Sequence, residues 1–165
     1  MASNDKIIAA QKKILASLVA WETRIGDLYD VYAKLYPKSR IMWQSLAGEE
    51  RQHATLLRSF TKELDEGRLF WNIGLFTEEM VETRVSAVNA ALEAVLANEL
   101  SERELVETAV EIESSLLESK FYSVVTSESP SFSHIATALT KATDRHLEKL
   151  KVMIQGHAGD MDWKV

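Results

Sequence analysis

Apolar residues recur at 3.6-residue spacing through four stretches of the chain, and this periodicity predicts helices. In the first, Leu15, Leu18, Val19, Ile25, Leu28, Tyr29 and Tyr32 fall on one face. It opens near Ser3 to Asp5, any of which could cap a helix, and stops at the turn Tyr36-Pro37-Lys38-Ser39. The second runs from about Ser39 to Glu66 with Trp43, Leu46, Ala47, Ala54, Leu57 and Phe60 aligned. At 1.5 Å of rise per residue each helix is about 40–50 Å long, well above the globular mean. Two such helices joined by a short turn are antiparallel neighbours. Gly67 to Phe76 is apolar but aperiodic, and is expected to pack across one end of the molecule. A less regular helical stretch, Thr77 to about Asn98, reads as a crossover. Ser101-Glu102-Arg103-Glu104 has the pattern of a capping box and opens a third long helix, to about Thr126. A loop at Ser127 to Ser131 precedes a last helix, from about Ser133 to Gln155, and residues 155–165 read as a loosely ordered tail. The expected fold is all-α: one domain over residues 1–165, an antiparallel four-helix bundle of two hairpins joined by a long crossover that contains a further helical segment.

Composition narrows the chemistry. The chain has 165 residues, of which 46% are apolar and 27% charged, as in an ordinary soluble domain. Two Pro and six Gly leave few chain breakers, in keeping with long helices. The absence of Cys excludes disulfides, zinc fingers, thiolate iron sites and Cys nucleophiles together. A formal charge of −6 gives no support to a nucleic-acid partner or an anionic membrane surface. No apolar core of a targeting peptide follows Met1 to Lys6, and the most apolar window, Ala87 to Ala97, is broken by Asn89 and Glu93. The expectation is a cytoplasmic protein.

The apolar stripes are interrupted near the middle of every long helix by polar residues. Glu22 lies between Leu18 and Ile25, and Glu50 with His53 between Leu46 and Leu57. Glu113 lies among Val106, Ala109, Val110 and Leu117, and His146 among Leu139, Ala142 and Leu150. All five are predicted to point inward, where an uncompensated carboxylate costs several kcal/mol. Glu22 and His53 are separated by nearly the same length of chain as Glu113 and His146, so two similar hairpins each bring a Glu and a His to one level. Three carboxylates and two imidazoles converging from four helices suit a first-row metal: iron or manganese, or zinc. In Glu50-Arg51-Gln52-His53 the three-residue spacing puts both ligands on one helix face, where they can grip one ion while the Glu bridges to a second.

The stretch from Trp21-Glu22 to Tyr29, followed by Trp43-Gln-Ser-Leu-Ala-Gly-Glu-Glu-Arg-Gln-His53-Ala54, resembles the first two helices of the rubrerythrin-like branch of the ferritin-like superfamily. The likeness covers roughly residues 8–60 and 103–153 and is looser in its second part. It implies a ferritin-like bundle with Glu22, Glu50, His53, Glu113 and His146 as ligands of two iron ions. Glu50 and Glu113 would bridge, Glu22 and His53 would hold one ion, and His146 the other. It also implies an oxidoreductase that reduces peroxide or oxygen. Rubrerythrins carry a rubredoxin-type site held by four Cys, which this chain cannot form, so electrons would come from an external donor protein.

The chain departs from that pattern at Thr143, which stands where a last-helix Glu is expected; Asp144 is one position off and falls on the polar face with Thr137, Lys141 and Glu148. Three Glu leave two divalent ions with one surplus positive charge, which predicts a weaker second metal or an exogenous ligand near Thr143. Two rival functions follow: an iron-binding or storage protein, and a non-enzymatic bundle with a degenerate single-metal site. Tyr29, one turn beyond the first ligands, is a candidate for a hydrogen bond near the site. Trp21 and Trp43 read as packing residues, and His134 and His157 as surface residues. The Leu69-Phe70-Trp71 segment is a candidate face for a homodimer, and Asp160-Met-Asp-Trp163 for a partner contact.

Overall fold

The computed structural model describes residues 2–97, 100–115 and 117–158. It is mostly helical, with one small sheet. Helix α1 (Ala2–Leu35) turns at Tyr36–Ser39 into α2 (Arg40–Asp65). Strand β1 (Leu69–Trp71) leads to α3 (Glu78–Leu96), then α4 (Glu102–Glu113), α5 (Leu117–Val124), strand β2 (Val125–Ser127) and α6 (Pro130–Ala158). The first hairpin is antiparallel: Lys12 near the start of α1 pairs with Asp65 at the end of α2, while Asp30 near the end of α1 pairs with Arg51. Such exposed pairs add little stability; the apolar stripe between the helices supplies it, with Leu15, Leu18, Ile25, Leu28, Trp43, Leu46, Leu57 and Phe60 all buried.

Helix α3 packs along α1, beginning where Lys13 meets Glu78 at 2.9 Å. Thr77 caps it by accepting from the Met80 amide at 3.3 Å. The capping box read from the sequence is present. The Ser101 amide donates to Glu104 Oε2 at 2.8 Å, and the Glu104 amide donates to Ser101 Oγ at 3.4 Å. Helix α6 lies against both α4 and α2, running antiparallel to α2: Phe60 meets Phe132 and Glu49 meets His146. A hydrogen bond of 2.9 Å from Ser39 Oγ to Glu102 Oε1 joins the two hairpins at the turn end. Among the described residues no helix is long and apolar enough to cross a membrane.

Several expectations are corrected. The third helix is not continuous to Thr126 but breaks at Ser114–Ser115, directly after Glu113. There the Ser115 amide closes on Ile112 O at 3.0 Å, three residues back, a tighter turn than the α-helix makes. The segment after Gly67 and the expected loop at Ser127 contain paired strands, with Leu69, Phe70 and Trp71 opposite Ser127, Thr126 and Val125. Alternation explains the pairing: Leu69 and Trp71 are buried and Phe70 exposed. Of Leu69-Phe70-Trp71, Leu69 and Trp71 are spent inside the chain, Trp71 edge-on against Phe121 at 5.1 Å, and Phe70 is exposed. The last helix begins at Pro130 rather than Ser133, with proline in the first helical turn that its fixed φ favours, and it continues through Ala158. The remainder of the tail, including Asp160 to Trp163, lies outside the described residues. At the start, Ser3 to Asp5 lie within α1 rather than ahead of it.

Candidate metal centre

The five residues that interrupt the stripes meet. Glu22, Glu50, His53, Glu113 and His146 are all buried, none more than 6% exposed. Glu22 comes from α1 and the Glu50–His53 pair from α2. Gly26, one turn past Glu22, lets these two helices approach: a Cβ there would lie 3.2 Å from Ala47 O and 3.6 Å from Glu50 Cβ. Glu113 is the last residue of α4, and His146 stands midway along α6.

Two ligand sets result, Glu22–Glu50–His53 and Glu50–Glu113–His146, and within each the donor atoms all lie within 4.8 Å of one another. Glu50 belongs to both, one oxygen on each side. Its Oε2 is 3.1 Å from His53 Nδ1, and its Oε1 is 2.8 Å from His146 Nδ1. His53 Nδ1 is also 3.6 Å from Glu22 Oε2, and His146 Nδ1 is 3.4 Å from Glu113 Oε1. The two imidazoles stack, 5.4 Å between centroids and 17° between planes. Glu113 belongs to the second set only.

The donor set fits a cation. Glu50 Oε1 and His146 Nδ1 are 2.8 Å apart and both buried, and neither has a well-aligned hydrogen-bond partner among the described residues, so a shared proton or a cation must balance them. A buried acceptor and an imidazole nitrogen aimed past one another are costly unless something electropositive sits between them. Carboxylate oxygens with imidazole nitrogens suit iron, manganese or zinc.

Electrostatics point the same way. Burial pushes Glu113 up to about 7, with His146 opposing and the Glu50 charge reinforcing the rise. Burial alone would lower His146, yet the Glu113 and Glu50 carboxylates beside it raise it to about 10. Burial also works to raise Glu50, but the imidazoles of His146 and His53 hold it well below the usual carboxylate range. Carboxylates and imidazoles here compensate one another's charge, a balance that a cation would also supply.

Surrounding groups orient the ligands. The Tyr29 hydroxyl donates to Glu113 Oε1 at 2.9 Å, the contact anticipated for it; burial and the Glu113 charge push its phenol well above the ordinary value. Tyr29 is fixed in turn by Trp43, 5.4 Å away between ring centroids, and Tyr32 at 6.0 Å. Glu49 escaped the sequence reading. It sits 3.1 Å from His146 Nε2 and accepts from Lys149 Nζ at 2.6 Å and Ser45 Oγ at 3.0 Å. Partial burial works to raise it, but Lys149 and His146 bring it down to about 2. Its only signal was an acidic residue next to a ligand, indistinguishable from a solvated outer face. Thr143 is half-buried and its hydroxyl donates to Leu139 O at 3.3 Å, while Asp144 is exposed with Thr137, Lys141 and Glu148, as its register implied. His134 is exposed, Trp21 and Trp43 are buried in the core, and the His157 side chain lies outside the described residues.

No protein-family profile, curated protein or solved structure matches the chain, so what it does has to be argued from these five side chains and their supports.

Proposed function

We propose that this chain is a ferritin-like, rubrerythrin-like four-helix bundle that binds two iron ions and acts as an oxidoreductase, reducing peroxide or oxygen with electrons from an external donor protein. The observation that carries the reading is the pair of three-ligand sets sharing Glu50. Glu22 and His53 would hold one ion, Glu113 and His146 the other, with Glu50 between them. When bound, the ions would supply the redox chemistry. The protein's part is to place and shield. Leu18, Ile25, Leu46, Leu57, Ala109 and Leu139, which flank the ligands on their own helices, are buried and keep water from the cluster. The Tyr29 hydroxyl holds Glu113 by its Oε1 oxygen and leaves the rest of the carboxylate for a cation. The chain has no Cys from which to build a thiolate electron relay, which is why the donor is placed on another molecule.

Anaerobic ferrous titration of metal-free protein tests this. About two irons per chain are expected, with a near-ultraviolet band on adding peroxide that is lost and regained through cycles of reduction. One iron or fewer, with no response to oxidant, would replace the reading with a single structural metal. Thr143 in place of a carboxylate favours that rival, and Thr143→Glu separates the two. Increased uptake at the His146 position marks a weakened second site, whereas unchanged uptake marks none. Sizing the native assembly tests storage, which requires a closed cage.

A further inference from the structure

We infer that Glu49 is a positioning residue for the second metal position: it holds the Nε2 proton of His146 so that Nδ1 is the nitrogen presented to the ligand cluster, and Lys149 and Ser45 hold Glu49 in place. The inference rests on the di-metal reading above and deepens it by assigning the control of one of its two positions.

An imidazole binds a metal through one nitrogen, and the hydrogen bond made by the other decides which one. His146 is fully buried and spans two environments. On its inner side Nδ1 faces Glu50 Oε1 at 2.8 Å and Glu113 Oε1 at 3.4 Å. On its outer side Nε2 meets Glu49 Oε2 at 3.1 Å. A carboxylate can only accept there, so Nε2 keeps its proton and the inner lone pair is the one freed for a cation. Glu49 and Glu50 are successive residues of α2, so one helical segment grips His146 from both sides: Glu50 across the cluster and Glu49 behind the ring. The other Glu49 oxygen is occupied by Lys149 Nζ at 2.6 Å and Ser45 Oγ at 3.0 Å, which limits its rotation. Lys149 lies on α6 within a turn of His146. The ring and the lysine that anchors its partner therefore move as one body.

Zinc is the probe, because it is diamagnetic and takes the same nitrogen and oxygen donors. Metal-free wild type and the Glu49→Gln, Glu49→Leu and Lys149→Met variants are titrated with zinc by calorimetry. The zinc-loaded proteins are then read by ¹⁵N NMR of the histidine rings. Wild type is expected to take two zinc ions, with His146 bound through Nδ1 and protonated at Nε2. Glu49→Leu is expected to weaken one position by about 10–100-fold, the usual worth of an outer carboxylate, and to leave the other within about twofold. Glu49→Gln, which can still accept, and Lys149→Met are expected to give smaller losses at the same position. Unchanged affinity at both positions, equal loss at both, or zinc on Nε2 would overturn the inference while leaving the di-metal reading standing. A wild type that takes no zinc and no iron would overturn that reading and the inference with it.

Discussion

The two hairpins carry the same kind of candidate ligands on differently built supports. In the first, α1 and α2 are uninterrupted, and Glu22, Glu50 and His53 form a complete set from within the hairpin. In the second, α4 ends on its own candidate ligand Glu113, the chain breaks at Ser114–Ser115, and Thr143, one turn before His146, offers no carboxylate. That hairpin reaches three ligands by borrowing Glu50, and it is steadied by Glu49, also from α2. A pseudo-repeat of the sequence has thus become a dependence: the first set needs only its own helices, the second needs α2.

The largest expected effect comes from removing the shared residue. Glu50→Gln, which keeps the size and loses the charge, is expected to lower affinity at both positions by more than the 10–100-fold that outer partners are worth; metal content after titration and desalting measures it. If only one ion is lost, Glu50 does not bridge. Next come the histidines. His53→Ala and His146→Ala are each expected to leave one metal per chain, and the ion that survives in His146→Ala, held by the self-contained set, is expected to be the tighter of the two. Reversed affinities would invert the comparison.

Acidity sharpens the contrast further. Protons on Glu113, raised to about 7, and on His146, raised to about 10, compete with metal at the second position. Affinity there is expected to climb between pH 6 and 9, about tenfold per unit for each proton displaced, and proton release during calorimetric titration reads it. Metal-free protein moves the other way. His146, with an ordinary value of 6.5, contributes stability that is fully present below that value and is lost as pH rises through about 10. Glu113, with an ordinary value of 4.5, adds a destabilisation that grows as pH rises from there through about 7. The metal-free melting temperature is therefore expected to fall from pH 6 to pH 10, and metal to reduce that fall. The smallest effect lies away from the site. Gly67 follows the C-cap of α2 at φ +70°, with its amide on Leu64 O and the Arg68 amide on Glu63 O. Gly67→Ala is expected to cost about 1 kcal/mol, or about 2–4 °C of melting temperature, with metal stoichiometry unchanged.

What could be read from the chain followed the range of the signal. Helix periodicity repeats over many turns, so α1, α2, α3, most of α6 and the Ser101 capping box were legible. Glu22, Glu50, His53, Glu113 and His146 were legible because a charged or polar residue in an apolar stripe contradicts its neighbours. Three-residue strands offer no such repetition. Leu69–Trp71 becomes a strand only because Val125–Ser127 lies beside it, and nothing local to either announces the other. The break after Glu113 falls at two serines, a pair that many helices tolerate, so the local sequence does not mark it. Glu49 was hidden for the opposite reason to Glu50: its register is that of a solvated face, and only the approach of α6 gives it a role.

The β1–β2 ladder has a consequence for how the chain assembles. It joins residues 69–71 to 125–127, and the Glu128 amide and Ser127 hydroxyl both add a bond to Arg68 O, each at 3.0 Å. Contacts of this kind close long loops, and loop closure slows folding, whereas neighbouring helices joined by a short turn zip together early. A refolding chain is therefore expected to form the α1–α2 pair first and to recruit α6 last. A metal ion present from the start would meet Glu22, Glu50 and His53 already in place. The later arrival of Glu113 and His146 would then complete a centre that the first ion had begun to organise.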